Sequence, residues 1–150
     1  MRILIQRVTE AKLSIGGSLF SSIERGMVVL VGIENEDTHE DIEWLCTKIC
    51  RLRIFDDEQG VMNLDVQQIG GSVMLVSQFT LQASTKKGNR PSYIRAAGES
   101  VARPLYDEFI KRLSTAMGHE IATGSFGADM QINLTNDGPV TIWIDSKNRN

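Results

Sequence analysis

The 150-residue sequence has no GxxxxGK[ST] phosphate loop, no GxGxxG fingerprint, no GxSxG nucleophile elbow and no HExxH metal helix. Histidine is scarce: His39 falls at the start of one expected helix and His119 just after another. A Ser–His hydrolase needs its base within hydrogen-bond reach of the nucleophile, and neither position suggests that. The two cysteines, Cys46 and Cys50, lie four apart among apolar neighbours on one expected helix. They read as buried, reduced thiols, because zinc would need two further ligands at suitable spacing. Acidic pairs such as Asp56-Asp57 and Glu36-Asp37 read as solvated turn residues. Only three prolines, 41% hydrophobic and 23% charged residues exclude collagen-like and disordered classes. The longest apolar run, Met27 to Val31, is strand-sized, far short of the roughly 18 residues of a membrane helix. The opening MRILIQRVTE reads as a strand, not a cleavable signal, so a cytoplasmic protein without membrane contact is expected.

What is present is a mixed pattern. Ile3 and Ile5, then Leu13 and Ile15, suggest two early strands, and Gly16-Gly17 a turn into a return strand from Leu19. Gly26 to Ile33 is a continuous apolar run suited to a strand covered on both faces. Thr38 and Asp41 resemble a capping box, after which Ile42, Leu45, Ile49 and Leu52 share a helical face. Asp56 to Gly60 reads as a turn. Ser72 to Leu81 reads as a second buried strand. A helix is expected from about Ser100 to Met117, with Val101, Leu105, Phe109, Leu113 and Met117 on one face and Pro104 in its first turn. Met130 to Leu134 and Val140 to Ile144 alternate as strands around an Asn136–Pro139 turn. The length and pattern give one α+β domain over residues 1–150, with more sheet than helix.

Charge carries one local signal. The 16 basic and 19 acidic residues leave a net charge of −3, so phosphate attraction does not dominate the chain as a whole. Yet Lys86, Lys87, Arg90 and Arg95 lie close together with no acidic residue between them. Two further segments stand out. Ser77-Gln78-Phe79-Thr80-Leu81 ends a buried strand on polar residues; strand alternation would put Gln78 and Thr80 on one face, Ser77 and Phe79 on the other. Asn136-Asp137-Gly138-Pro139-Val140-Thr141 contains a Gly-Pro bond, a plausible cis site whose isomer nothing local decides.

QRV at 6–8, LRIF at 52–55, SQFTL at 77–81, KGNRPS at 87–92, TGSFGADM at 123–130 and NDGPVT at 136–141 resemble, in order and spacing, the D-aminoacyl-tRNA deacylase family. The resemblance implies a homodimer of compact β/β/α layers, with mixed sheets and two main helices packed on one side. It implies hydrolysis of the ester in D-aminoacyl-tRNA and glycyl-tRNA, sparing the L forms, with no cofactor and no metal. SQFTL would form the pocket floor, with main-chain N–H groups near Phe79 and Thr80 holding the ester carbonyl. Ser77, Gln78 and Thr80 stand beside them, Thr80 orienting substrate or water. Gly138-Pro139 would be a cis dipeptide entering the partner subunit's pocket, fixed by Arg7. Phe126, Gly127 and Met130 would receive the adenine; from its local charge, not from the resemblance, the Lys86 to Arg95 segment, with Lys86 and Lys87, is expected to meet the tRNA acceptor end. Two other readings stand beside this one: a non-catalytic module binding aminoacyl-tRNA ends, and a small-ester hydrolase acting covalently through Thr80 or Ser77.

Overall fold

The computed structural model describes residues 1–150. Its first strand, β1 (Arg2–Ile15), replaces the two early strands that the sequence suggests. Thr9 and Glu10 are both exposed, and pairing slips between Val8 and Ala11. The chain bulges there without turning, and the alternation changes phase. Ile3 and Ile5 therefore face one core, whereas Val8, Ala11 and Leu13 face another.

β2 (Ser18–Ile23) and β3 (Gly26–Gly32) share one edge of β1, pairing antiparallel with its second and first halves. β3 is buried on both faces, as its apolar run implies. It pairs in parallel with β6 (Ser72–Ser77), which pairs in parallel with the short β7 (Ala122–Thr123). The other edge of β1 is taken by β8 (Met130–Asp145), one long strand where two were expected. Asn136–Pro139 is not a turn between strands. Gln6 pairs with Thr141 and Val8 with Asn136, so the segment is extra chain looped out of a continuing ladder. The six-stranded sheet curls towards closure, and the Ser21 hydroxyl donates to the Thr123 carbonyl at 2.7 Å. A two-stranded ribbon, β4 (Phe55–Asp56) and β5 (Met62–Leu64), flanks the expected Asp56–Gly60 turn.

Helices α1 (His39–Arg51) and α2 (Glu99–Met117) pack against each other and one sheet face. The Thr38 amide donates to the Asp41 carboxylate at 2.8 Å, closing the expected capping box. Ile42, Leu45, Cys46, Ile49 and Cys50 form the buried face of α1. Burial pushes the Cys46 thiol up to about 12 and raises Cys50 as well, so both are inert hydrophobes at neutral pH. In α2 the buried stripe starts at Ala102, because Val101 points to solvent. Pro104 lies one turn deeper than expected. It is exposed, so water can serve the Ser100 carbonyl that its missing N–H leaves free. The second core, Val8, Ala11, Leu13, Ile23, Val28, Met74 and Val76, fills the inside of the curled, nearly closed sheet; where β/β/α layers were expected, one six-stranded sheet curls on itself beside two helices.

A buried polar knot ties chain start to chain end. The Met1 amine pairs with Asp37 and donates to the Ser146 hydroxyl; that hydroxyl donates to Asp41 at 2.6 Å, and Lys147 reaches Asp41 at 2.9 Å. Burial alone would raise the Asp41 pKa. Hydrogen bonds from Ser146, Lys147 and the Thr38 amide outweigh it and hold the group at about 2. A carboxylate depressed in the folded state stabilises above its unfolded pKa, and that stability is lost as pH falls towards the folded value. Asp41→Asn is therefore expected to cost about 2 kcal/mol at pH 7. Urea unfolding at pH 7 and at pH 2 should show the difference from wild type shrinking at the lower pH.

Candidate active site

Two parallel buried strands, β3 and β6, run out at the same end of the sheet. The last rung between them is the Gln78 amide donating to the Val31 carbonyl at 2.7 Å. The strand stops at Ser77, four residues earlier than the sequence suggests, and Phe79–Gln82 wind into one 3-10 turn. The expected alternation of Gln78 and Thr80 against Ser77 and Phe79 is replaced by a turn, in which the Gln78 side-chain amide donates to the Thr80 hydroxyl at 2.5 Å. The physical reason is that Phe79 and Thr80 have no neighbouring strand left to pair with. Their N–H groups find no acceptor within the chain.

Two long-range bonds hold this turn, and a third closes the chain beside it. Buried Gln82 donates through Nε2 to the Gly32 carbonyl at 2.9 Å, Arg2 donates to the Leu81 carbonyl at 3.1 Å, and the Ala97 amide closes on Ile33 at 2.9 Å. Gly32 permits the approach: a Cβ there would lie 2.8 Å from the Leu81 Cβ and 3.0 Å from the Gln78 carbonyl oxygen.

Beside the turn lies a cleft of about 320 Å³. One wall is Val31, Ile33, Val76, Ser77, Gln78 and Phe79; the other is the 126–130 segment with Ile132, while Ala97 and Ala102 complete the lining. Phe126, Gly127 and Met130 are thus brought to the same cleft as Ser77, Gln78 and Phe79. The Phe126 ring sits 5.9 Å from that of Tyr106, whose hydroxyl donates to the Leu75 carbonyl at 2.8 Å. Burial pushes the Tyr106 hydroxyl up to about 12, so it is a structural donor, not an acid. The Arg103 guanidinium covers the Phe126 ring at 5.9 Å. Asp129 is the one ionisable side chain on the lining. Neither histidine nor either cysteine reaches it.

Other expected residues lie elsewhere. Thr80 is not on the lining; its hydroxyl accepts from the side chain of Gln78, which is. Lys86 and Lys87 are exposed on the following loop. Arg7 is buried at the far end of β3, opposite Met27, roughly 13 Å along the strand from Val31. It donates to the carbonyls of Ile54 (2.6 Å) and Asp137 (3.2 Å) and lies 3.4 Å from the Asp56 carboxylate. The Gly138–Pro139 peptide that follows is cis, and the loop is braced by Asn136 against the Thr141 hydroxyl at 2.9 Å. A Cβ on Gly138 would lie 3.1 Å from Arg7 Nη2. Arg7 and the dipeptide therefore belong together, but not to the cleft of their own chain.

A family model described as D-Tyr-tRNA(Tyr) deacylase matches residues 4–145. The chain belongs to this family. Among curated relatives, a protein named D-aminoacyl-tRNA deacylase from Bacteroides thetaiotaomicron is 60% identical over 149 residues, 99% of each chain. One of the same name from Flavobacterium johnsoniae is 57% identical over the same span. Among solved structures, one described as c-Myc DNA Unwinding Element Binding Protein is 40% identical, with a TM-score of 0.90 over 97% of this chain and 98% of that one. Another, described as a probable eukaryotic D-amino acid tRNA deacylase, is 16% identical with a TM-score of 0.83 over 95% and 97% of the two chains, and shares the fold.

The packing of β3 against the 3-10 turn of this deacylase-family chain is directly testable. Gly32→Ala should push Leu81 outward and cost about 1–3 kcal/mol, the range for overpacking a tight site. Urea unfolding would give the loss, and faster hydrogen exchange at Leu81 and Ala83, whose amides bond within the turn, would place it there.

Proposed function

We propose that this protein hydrolyses the ester joining a D-amino acid, or glycine, to the terminal adenosine of tRNA, and spares L-aminoacyl-tRNA. The observation that carries the reading is the pair of free N–H groups, on Phe79 and Thr80, at the rim of an apolar cleft in a member of this family. Preorganised backbone donors of this kind stabilise the oxyanion that forms as an ester carbonyl is attacked, and one such donor is worth about 10²–10³ in rate. An aminoacyl ester is already activated, so positioning and a held water replace a strong protein nucleophile. The substrate's own ribose 2′-hydroxyl can assist. Thr80, its hydroxyl engaged by Gln78 and with no base beside it, orients the floor and is not the nucleophile.

Phe126, Gly127 and Met130 take the adenine, and Ser77 and Gln78 border the reacting ester. Stereochemical selection comes from a second copy. β8 carries both the cleft residues Met130 and Ile132 and, further on, the Gly138–Pro139 loop, and its outer edge is unpaired. A two-fold relation along that strand takes each dipeptide to the other chain's cleft, giving a homodimer in which each site has a floor from one subunit and a wall from its partner. The wall is main chain, in a loop that Arg7 holds through the Asp137 carbonyl, so it is independent of side-chain repacking. A wall on the L side rejects every L residue at once, and glycine has nothing to clash. A soluble, cytoplasmic setting where charged tRNA is present suits this chemistry.

The deciding experiment is steady-state deacylation of D- and L-aminoacyl-tRNA with matched side chains, plus glycyl-tRNA. Multiple turnovers on the D and glycyl forms alone are expected. Equal rates on D and L would sink the wall model, stoichiometric binding without turnover would leave a tRNA-end-binding module, and a trapped acyl ester on Thr80 or Ser77 would make it a covalent hydrolase. Charge reversal at Lys86 and Lys87 should weaken tRNA binding and flatten its salt dependence, since each lost phosphate contact removes a released counterion. An unaltered salt slope would mean that this loop is merely solvated.

A further inference from the structure

Phe79, on the lining of the cleft, leaves a large apolar side chain 55% exposed, and beyond it Tyr93 and Ile94 are 40% and 86% exposed. Single exposed apolar residues need no explanation, but these are organised. The Phe79 and Tyr93 rings meet edge to face, 5.1 Å between centroids at 75°. The segment that carries Tyr93 and Ile94 is fastened at both ends. Ser84 and Ser92 exchange backbone hydrogen bonds of 2.8 and 2.9 Å, Arg95 pairs with Glu34 at 3.0 Å, and the Ala97 amide bonds to Ile33.

The loop closed by Ser84 and Ser92 presents Lys86, Lys87 and Arg90, none of which is in an ion pair. The nearby acid, Glu34, is already taken by Arg95. On a chain of net charge −3, unpaired cations beside exposed rings make a local exception. Flat apolar faces with cations alongside suit unpaired nucleotides, whose bases stack while their phosphates meet the charges. A duplex keeps its bases stacked inside and has no face to offer the rings. A purely apolar partner would leave the cations without counter-charge.

Resting on the deacylase reading above, we infer that Tyr93, with Phe79 and Ile94, forms a stacking platform for the unpaired nucleotide next to the terminal adenosine of the tRNA substrate. Lys86, Lys87 and Arg90 stand beside the adjoining phosphates. The ester and its adenosine occupy the cleft, and the strand leaves it over Phe79 and Tyr93.

The test compares a D-aminoacyl-tRNA with the matching D-aminoacyl-adenosine, which ends where the platform begins. For Tyr93→Ala, KM for the tRNA should rise about tenfold with kcat held within about twofold, the loss expected for one base stacked on an aromatic ring. Both constants for the aminoacyl-adenosine should be unchanged, and Tyr93→Phe should behave as wild type on both substrates. Ile94→Ala should shift KM for tRNA in the same direction by less. Equal losses on the two substrates would overturn the inference, since the ring would then only support the floor. So would unchanged constants on both, or a fall to monomer mass by light scattering, which would make this face a subunit contact. If the wild type cleaves neither substrate, the reading of the activity fails. The platform is then judged by fluorescence anisotropy of uncharged tRNA, which Tyr93→Ala should weaken about tenfold if the inference holds and leave unaltered if it does not.

Discussion

Backbone N–H and C=O groups taken out of water need partners, and β1 meets that demand along both of its edges. β8 lines one edge for almost its full length, while β3 and then β2 share the other. The slip at Thr9 and Glu10 lets one strand serve two cores: its first half under the helices, its second half curled over the inner cluster. β3, anchored to β1 along one edge, pairs in parallel with β6 along the other. The cleft lies where that pair ends.

The local economy of the site follows from this anchoring. A strand that runs out of neighbours must release donors, and at Phe79 and Thr80 the release is held in place by long-range partners. Arg2 comes from the start of β1, Gly32 from the end of β3, and Gln82 from the turn itself. The far end of β3 is organised quite differently, around a buried guanidinium that gathers carbonyls from Ile54 and Asp137. One end of the sheet leaves two backbone donors without partners in the chain; the other is built round a cation that takes up carbonyls.

Local patterns proved readable where local physics decides. The capping box at Thr38 and Asp41, the doubly covered run from Met27, and the buried stripe from Leu105 to Met117 needed only spacing. Elements whose shape depends on distant partners were not. Nothing near Thr9 says that the chain bulges instead of turning, because the partner that keeps it extended is β8. SQFTL looks like strand until β3 is known to end at Gly32. Asn136–Pro139 looks like a turn until β1 is seen to continue the pairing past it. The cleft shows the same division: Ser77, Gln78, Phe79, Phe126, Gly127 and Met130 stood out in sequence motifs, whereas Val31, Ile33, Ala97 and Ala102 are ordinary apolar residues that only packing brings to the lining.

The looped-out segment in β8 also bears on how the molecule avoids sticking to itself indiscriminately. β8 is the longest strand, and its outer edge is an open row of hydrogen-bonding groups, the kind of template that recruits stray chains. The bulge divides that row into Met130–Asn136 and Thr141–Asp145, out of step with each other. At the break stand a proline without a donor and the charged Asp137. A misfolded neighbour attempting to extend the sheet in simple register would gain a few rungs on one side of the break and then lose alignment, so fibrillar growth from this edge is interrupted by the same residues that shape the loop.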